Sequence, residues 1–456
     1  MHVESSIFKA YDIRGTYPDH LNEESAYAIG RGIATLFIQE NPGKTLTLGV
    51  GGDMRKHTAV LREQLIKGLT DTGIHVVDLG LVSTPTYYFG VAYNGYDGGV
   101  QITASHNGKE YNGFKVVRKH AVALGGKTGI EAIRDIILND AFSPIVETPA
   151  TVTSQEGTTQ KAVAEYIAYA KGFAPKPLKV VIDPAHAMGI VDCDMLFPHS
   201  KCEVVKMNFE LDGDFPAHEA DPLKPENTVD LQAKVVAEGA DLGISFDGDA
   251  DRVFIIDEKG ERLPSPILYT ILAHIEHEEN PGQPLAYEIR LGNLVEEEFK
   301  HVHLVQTPVG HSLIKGEMLK QDALFGGEIS GHYFFKTPWG TFEAPILLII
   351  KFLNWLSSQD QPLSYLAAQY KRYISSGEIN TKVASREEVN QKVAEITEKY
   401  QDGKQIKIDG IKVSYPTYWF SVRASNTEPL IRLIVEAKDQ AVMEAKRDEL
   451  LKIIQG

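Results

Sequence analysis

Three aspartates stand two residues apart in SFDGDADR, residues 245–252: Asp247, Asp249 and Asp251. Placed together at the end of an apolar strand, three carboxylates repel one another unless a cation compensates them, and a set of hard oxygen ligands suits Mg²⁺. The bland alternative is a solvated acidic turn. A calcium loop is excluded. Glu258 falls at its twelfth position, but the sixth, which must be glycine, is Arg252, and VFIID runs on as a strand. Arg252 is out of place in a simple cation cage. Beside a metal that shares its site with a phosphate it makes sense, because its fork matches phosphate oxygens.

A second concentration of chemistry lies in GVQITASHNGKEYNGFK, residues 99–115, where Ser105 sits between Ala104 and His106 as an apolar strand gives way to a turn. A serine in a turn ordinarily serves its own backbone. A Ser-His-Asp hydrolase does not fit, because the residues around Ser105 read T-A-S-H-N and not G-x-S-x-G. His106, adjacent in sequence, is also badly placed to be the oriented base of a triad.

In RASNTEPLIR, residues 423–432, Arg423, Ser425, Asn426 and Thr427 occupy a tight turn between strands, with Arg432 a weaker candidate on the following strand. Backbone amides and hydroxyls in such a turn make an anion nest, and the arginine adds charge; a hairpin with an exposed arginine is the alternative. TPVGHSLIK and GGEISGHYFFK carry glycines that let backbone approach a ligand. Glu328 and Ser330 suit vicinal sugar hydroxyls, and His311 and His332 suit a polar ligand, although lone histidines are more often structural.

The elements that must position these loops are α/β in character. TLTLGVGGD, a helix near residues 56–72, IHVVDLG and GGVQITASHN follow one another as βαβ units with parallel strands. The order recurs from LKVVIDPAHAMG to ADLGISFDGDADRVFIID and again from PLAYEIR to the helix starting near His311. Beyond residue 371 a polar helix, a strand pair and a final amphipathic helix predict a smaller α+β domain. The expected divisions are 1–147, 148–257, 258–370 and 371–456, with seams in the Thr/Ser/Gly-rich ETPATVTSQEGTTQ, in DEKGERLP and between Gln359 and Gly377.

A chain of 456 residues is long enough for several cores. Its 46 basic against 62 acidic residues, net charge −16, oppose nonspecific binding to nucleic acid or an anionic membrane, so an anionic ligand needs a locally basic pocket. Cys193 and Cys202 form neither a CxxC pair nor a zinc pattern and fit a reducing cytoplasm. APILLIIKFLNWL is shorter than the roughly 20 residues of a membrane helix and reads as a buried helix.

Taken together and in order, FKAYDIRG, TASHN, DGDADR, GEISGH and RASNTEP resemble the α-D-phosphohexomutase superfamily, in particular its bacterial phosphomannomutase/phosphoglucomutase branch. The resemblance spans the whole chain. It implies three similar α/β domains and a smaller C-terminal α+β domain around a central cleft, and a mutase interconverting hexose 6-phosphate and hexose 1-phosphate, of mannose or glucose. Ser105 resembles the phosphoserine. Asp247, Asp249 and Asp251 match the Mg²⁺ ligands, with a phosphate oxygen on Ser105 completing the site and a hexose 1,6-bisphosphate as intermediate and activator. Arg252 matches the arginine beside that phosphate, while Arg14, His106 and Lys115 match basic or proton-handling positions. Glu328 and Ser330 match the loop that reads the sugar, His311, His332 and Arg290 the same cleft, and Arg423, Ser425, Asn426 and Thr427 the grip on the substrate's own phosphate. The implied partners are small hexose phosphates, for a cytoplasmic monomer or homodimer.

Some positions depart from that pattern. Gly108 replaces a proline, Ala250 a frequent glycine and Arg290 a common lysine, and KTPWGTFEA lacks an acidic pair. The rivals are a phosphoglucosamine mutase, whose sugar loop carries Gln where this chain has Ile329, a metal-dependent sugar phosphatase, and a sugar-phosphate sensor without catalysis.

Overall fold

A computed structural model describes residues 3–173, 176–425 and 430–456. The chain divides into two units, residues 1–263 with 330–364, and residues 264–329 with 365–456. Each is described by itself.

In the first unit, one sheet has the strands Thr47–Gly52, His75–Leu81 and Gly98–Ile102 running parallel, and Tyr111–Arg118 turning back antiparallel beside the last of them. Two helices of this unit start where the sequence supplies caps. Asn22 accepts from the Ser25 amide ahead of Glu23–Glu40, and Ser83 accepts from the Thr86 amide ahead of Thr84–Asn94, which ends on Gly95 in the left-handed region. The Thr/Ser/Gly-rich seam is not bare linker, because Val152–Ser154 pairs in parallel with His75–Leu81 and extends this sheet. A second sheet has the order Val253–Asp257, Leu242–Phe246, Lys179–Asp183, Glu203–Lys206, its first pair antiparallel and the rest parallel. Leu242–Phe246 is buried at every residue, with Leu242, Ile244 and Phe246 beside the small Gly243 and Ser245, as a strand covered on both faces requires.

The apolar run near residue 350 is the helix Pro345–Ser357, buried along most of its length against the helices Thr158–Tyr169 and Gly189–Leu196. That packing is why residues 330–364 cluster with the first unit, and it cuts across the sequence segment 258–370. Trp339 seals the same region, its ring 5.2 Å from that of Phe89 and 5.6 Å from that of Tyr166. Among the described residues, no helix is long and apolar enough to cross a membrane.

The second unit holds parallel strands Leu304–Thr307, Leu285–Glu288 and Phe325–Gly327 with the helices Ser265–Glu279 and His311–Gln321. It also holds an antiparallel sheet built on the pair Tyr418–Ala424 and Leu430–Ala437. The helices Arg386–Lys399 and Gln440–Gln455, capped by Ser385 and Asp439, close a core of Phe420, Val422, Leu433, Val435, Leu450 and Ile454. The α/β class and the C-terminal α+β pattern expected from the sequence are both present.

Candidate active site

Both loops of the first unit leave the same kind of place, the carboxyl end of a buried strand. Ser105 follows Gly98–Ile102, and Asp247 follows Leu242–Phe246. Ser105 is 2% exposed and holds φ +52°, a left-handed conformation unfavourable for a residue with a side chain. Its amide donates to Thr103 Oγ1 at 3.0 Å, and its Oγ donates to Asp247 Oδ2 at 2.7 Å. The close approach requires Gly248, since a Cβ there would stand 2.3 Å from the Ser105 carbonyl oxygen. Ala250, the departure from glycine noted in the sequence, is itself at φ +60°.

Asp247, Asp249 and Asp251 are all at most 2% exposed, and one oxygen from each lies within 4.8 Å of the others. The amides of Asp251 and Arg252 donate to Asp247 Oδ1 at 3.1 and 3.2 Å, wrapping the loop around its first carboxylate. Burial, with Asp251 and Asp249 as like-charged neighbours, pushes the Asp247 carboxyl well above the usual range. Lys115 Nζ lies 2.6 Å from Asp249 Oδ2 and 2.6 Å from Asp251 Oδ2. Burial works against its charge, but the two aspartates outweigh it and raise the ammonium's pKa. Asp249 Oδ1 is left buried without a hydrogen-bond partner. Three buried carboxylates with an uncompensated oxygen are a set that could hold a metal ion.

The other basic groups stand around them. His106 Nδ1 is 3.1 Å from Ser105 Oγ, and its imidazole is held well below the ordinary histidine range by burial and then by Arg252 and Arg14. Arg14 bonds Asp12 and the Asn107 side chain. Arg252 Nε lies 3.8 Å from Asp247 Oδ2 and 3.4 Å from His332 Nε2. His332 Nε2 is 3.1 Å from Asp251 Oδ1, and its Nδ1 is 2.8 Å from Ser330 Oγ. The structure therefore brings Ser105, His106, Lys115, Arg14, the three aspartates, Arg252, Ser330 and His332 into one polar cluster.

The second unit gathers a different set. Arg423, 5% exposed, is next to last in the strand Tyr418–Ala424, and Gly410 at φ +66° lets the bend before Ile411–Ser414 lie against it, since a Cβ there would fall 2.7 Å from Arg423 Cα. Its Nη2 is 3.5 Å from Glu378 Oε2 and its Nη1 3.8 Å from Asp409 Oδ2. Glu378 also takes Arg290 Nη1 at 2.6 Å and Arg432 Nη1 at 2.7 Å. Burial opposes the Glu378 charge, yet the three guanidiniums hold its carboxyl below the usual range. Arg290, expected to line a sugar site, has its remaining edge bonded to the buried Glu288. It is held between two carboxylates. Glu328 accepts from the Gly310 amide at 2.8 Å, at the start of the helix that begins with His311. Ser425 is buried and its amide donates to the Leu430 carbonyl at 2.9 Å, whereas Asn426 and Thr427 lie outside the described residues.

Sequence reasoning missed three charged groups: Arg55, which donates to the Ser105 carbonyl at 2.8 Å, Glu378, and Asp192, buried in the helix Gly189–Leu196. Arg55 and its partner Asp53 had a visible signal, since GGDMR directly follows an apolar strand. Glu378 and Asp192 carried none that spacing could supply.

Models of the phosphoglucomutase/phosphomannomutase family match the chain in succession: the alpha/beta/alpha domain I over residues 5–144, domain II over 160–260, domain III over 264–373 and the C-terminal domain over 378–453. A phosphomannomutase/phosphoglucomutase of Pseudomonas syringae pv. tomato is 38% identical, covering 97% of this chain and 93% of its own length. A phosphomannomutase of Vibrio cholerae is 35% identical over 99% and 98%. Among solved structures, a phosphoglucomutase/phosphomannomutase family protein of Burkholderia thailandensis superposes with a TM-score of 0.89 at 28% identity, covering 100% of this chain and 98% of that one. The Aspergillus fumigatus N-acetylphosphoglucosamine mutase, solved with GlcNAc-6P and magnesium, shares the fold at 14% identity and a TM-score of 0.63, over 99% and 96%. With family domains matched from residue 5 to residue 453 and relatives of this identity along its length, the chain belongs to the phosphoglucomutase/phosphomannomutase family and is a phosphohexomutase.

Proposed function

We propose that Ser105 carries the phosphoryl group of this mutase, giving it to a hexose phosphate and taking it back from a hexose 1,6-bisphosphate. The observation that carries the reading is the 2.7 Å bond from Ser105 Oγ to Asp247 within a buried carboxylate triplet. Asp247, Asp249 and Asp251 would hold Mg²⁺ together with a phosphate oxygen on Ser105. Bound there, the ion offsets phosphoryl charge as the Oγ–P bond breaks.

A phosphoserine carries about −1.5 to −2 charges at neutral pH, and Arg252, Arg14 and Lys115 compensate that load. In the forward step the sugar hydroxyl forms its O–P bond as Oγ–P breaks, and in the return step Ser105 Oγ attacks and loses its proton. His106 suits that second proton: its Nδ1 lies 3.1 Å from Oγ, and burial with Arg252 and Arg14 holds the imidazole well below the ordinary range. Lys115 Nζ, 2.6 Å from Asp249 Oδ2 and from Asp251 Oδ2, is the second group suited to proton transfer at this site. In-line attack brings the sugar hydroxyl from the far side of phosphorus, so its proton goes to a different acceptor. Because one serine both gives and takes, the bisphosphate must present each of its ends in turn. Arg423, which shares Glu378 with Arg290 and Arg432, and Ser425 suit the phosphate that is not being transferred. Glu328, Ser330, His311 and His332 are the proposed sugar-reading set, and the four sequence segments are proposed as the functional domains.

Ile329 favours glucose or mannose over glucosamine as the sugar. A coupled assay on glucose 1-phosphate, mannose 1-phosphate and glucosamine 1-phosphate, with Mg²⁺ and a trace of bisphosphate, tests the reading. Isomerisation of one of the first two without release of inorganic phosphate is expected. Phosphate release without isomerisation would identify a phosphatase instead.

A further inference from the structure

The loop that carries Ser105 is held from below by one buried cation. Arg55 follows the strand Thr47–Gly52, and its guanidinium is wholly removed from solvent. Nη1 donates to the carbonyls of Gly108 at 2.7 Å and Tyr111 at 3.2 Å. Nη2 donates to the carbonyls of Ser105 at 2.8 Å and Asn107 at 2.7 Å. Nε completes the set on Asp53 Oδ2 at 3.2 Å, so that all five N–H groups of the fork are used. Asp53 is fixed in turn by Thr58 Oγ1 at 2.7 Å, and the Phe215 ring covers the guanidinium at 5.1 Å.

Four carbonyl oxygens converging on one point repel unless a cation with several diverging donors sits there. The loop therefore keeps its shape, including the left-handed φ of Ser105, because Arg55 satisfies it. We propose that Arg55 is a positioning residue for phosphoryl transfer: by gripping the Ser105 carbonyl and its neighbours it fixes the direction of Oγ toward the aspartate triplet. The inference rests on the reading of Ser105 as the phosphoryl carrier. Arg55 is buried beneath the loop, so its effect falls on the transfer step and not on the binding of hexose phosphate. Lysine cannot take its place, because three donors radiating from one nitrogen do not reach four carbonyls and a carboxylate.

The test uses the full chain as R55K, R55M and, keeping the arginine but loosening its anchor, D53N. Each is checked for folding by circular dichroism and thermal melting. Ser105 is then loaded with glucose 1,6-bisphosphate, the phosphoenzyme is quantified by intact mass, and its discharge to glucose 1-phosphate is timed in a single turnover. Misplacement of reacting groups by about 1 Å costs on the order of 100-fold in rate. We expect discharge and kcat to fall together by about 10- to 100-fold in R55K and R55M alike, with KM changed less than about twofold and a smaller loss in D53N. A folded R55K or R55M that discharges at the wild-type rate overturns the inference, as does a loss confined to KM. If both arginine variants fail to fold, D53N decides: wild-type discharge overturns the inference, and slowed discharge at unchanged KM supports it. A wild-type enzyme that never takes phosphate on Ser105 overturns the carrier reading itself, and this inference with it.

Discussion

Ser105 Oγ and Asp247 Oδ2, on residues 142 positions apart, share a hydrogen bond of 2.7 Å. The bond joins the strand end that presents the serine to the strand end that presents the aspartates, and both belong to the first unit. A hydroxyl held against three buried carboxylates is a poor site for an added phosphate unless a cation stands between them.

Chelation therefore separates the metal's part from the protein's. Treatment with EDTA is expected to lower mutase turnover by at least about 100-fold, the several kcal/mol that a Lewis-acid cation contributes to transition-state charge, and excess Mg²⁺ is expected to restore it. Asp249→Asn should abolish the rescue, and because it also breaks the buried ion pair with Lys115, its folding is followed beside its rate. Steady-state rates with and without Mg²⁺, beside thermal melts, check both statements. Full activity in metal-free buffer would contradict them.

Arg423 is buried and shares Glu378 with two other arginines, Arg290 and Arg432, so its removal acts on substrate capture. Arg423→Ala is expected to raise KM for glucose 1-phosphate by about 10- to 100-fold, as loss of charged hydrogen bonds worth roughly 1.5–3 kcal/mol implies, with kcat falling less. Initial-rate kinetics over a wide substrate range measure the split. An unaltered KM and kcat/KM would remove Arg423 from the phosphate site.

Asp192 gives a prediction of stability against pH. It lies buried in the helix Gly189–Leu196, and Thr86 Oγ1 donates to its Oδ1 at 3.1 Å. Burial pushes its carboxyl up to about 7, only partly offset by the Ser83 and Thr86 hydroxyls. A folded-state value above the unfolded one means that the native protein binds the proton more tightly. Stability then falls as pH rises from about 4 to 7 and the full penalty remains above that. Asp192→Asn, which keeps an acceptor for Thr86, is expected to add on the order of 4 kcal/mol at pH 8.5 and about half of that at pH 5.5. Melting temperatures of the two proteins across that range test it, and a difference independent of pH would contradict it.

How much of this was legible in the sequence depends on whether the chemistry sits within one loop. The Asp247 to Asp251 triplet declares itself, because like charges at alternate positions after an apolar strand need compensation wherever the chain goes. That Ser105 meets Asp247 was not deducible from spacing, since the meeting is made by two separate sheets. Arg55 escaped notice because its partners are carbonyls, which every residue has. Glu378 escaped because its three arginines arrive from residues 290, 423 and 432. The strand within the seam near residue 150 escaped notice because Val152–Ser154 is an exposed edge strand without apolar alternation to reveal it. Conversely, the helix Pro345–Ser357 and the final helix Gln440–Gln455 were readable because a buried run and an amphipathic stripe are local properties of the chain.

The central claim is that the serine at 105 is loaded and unloaded in each cycle. Its most direct measurement is phosphopeptide mass spectrometry of the wild-type enzyme and Ser105→Ala after incubation with glucose 1,6-bisphosphate, before and after a chase with glucose 1-phosphate. The account predicts one phosphoryl group on Ser105 that leaves within a single turnover, no such group in the alanine variant, and mutase activity in that variant lower by orders of magnitude at an unchanged melting temperature. Near-wild-type isomerisation by Ser105→Ala, or a phosphate on Ser105 that survives the chase, would contradict it.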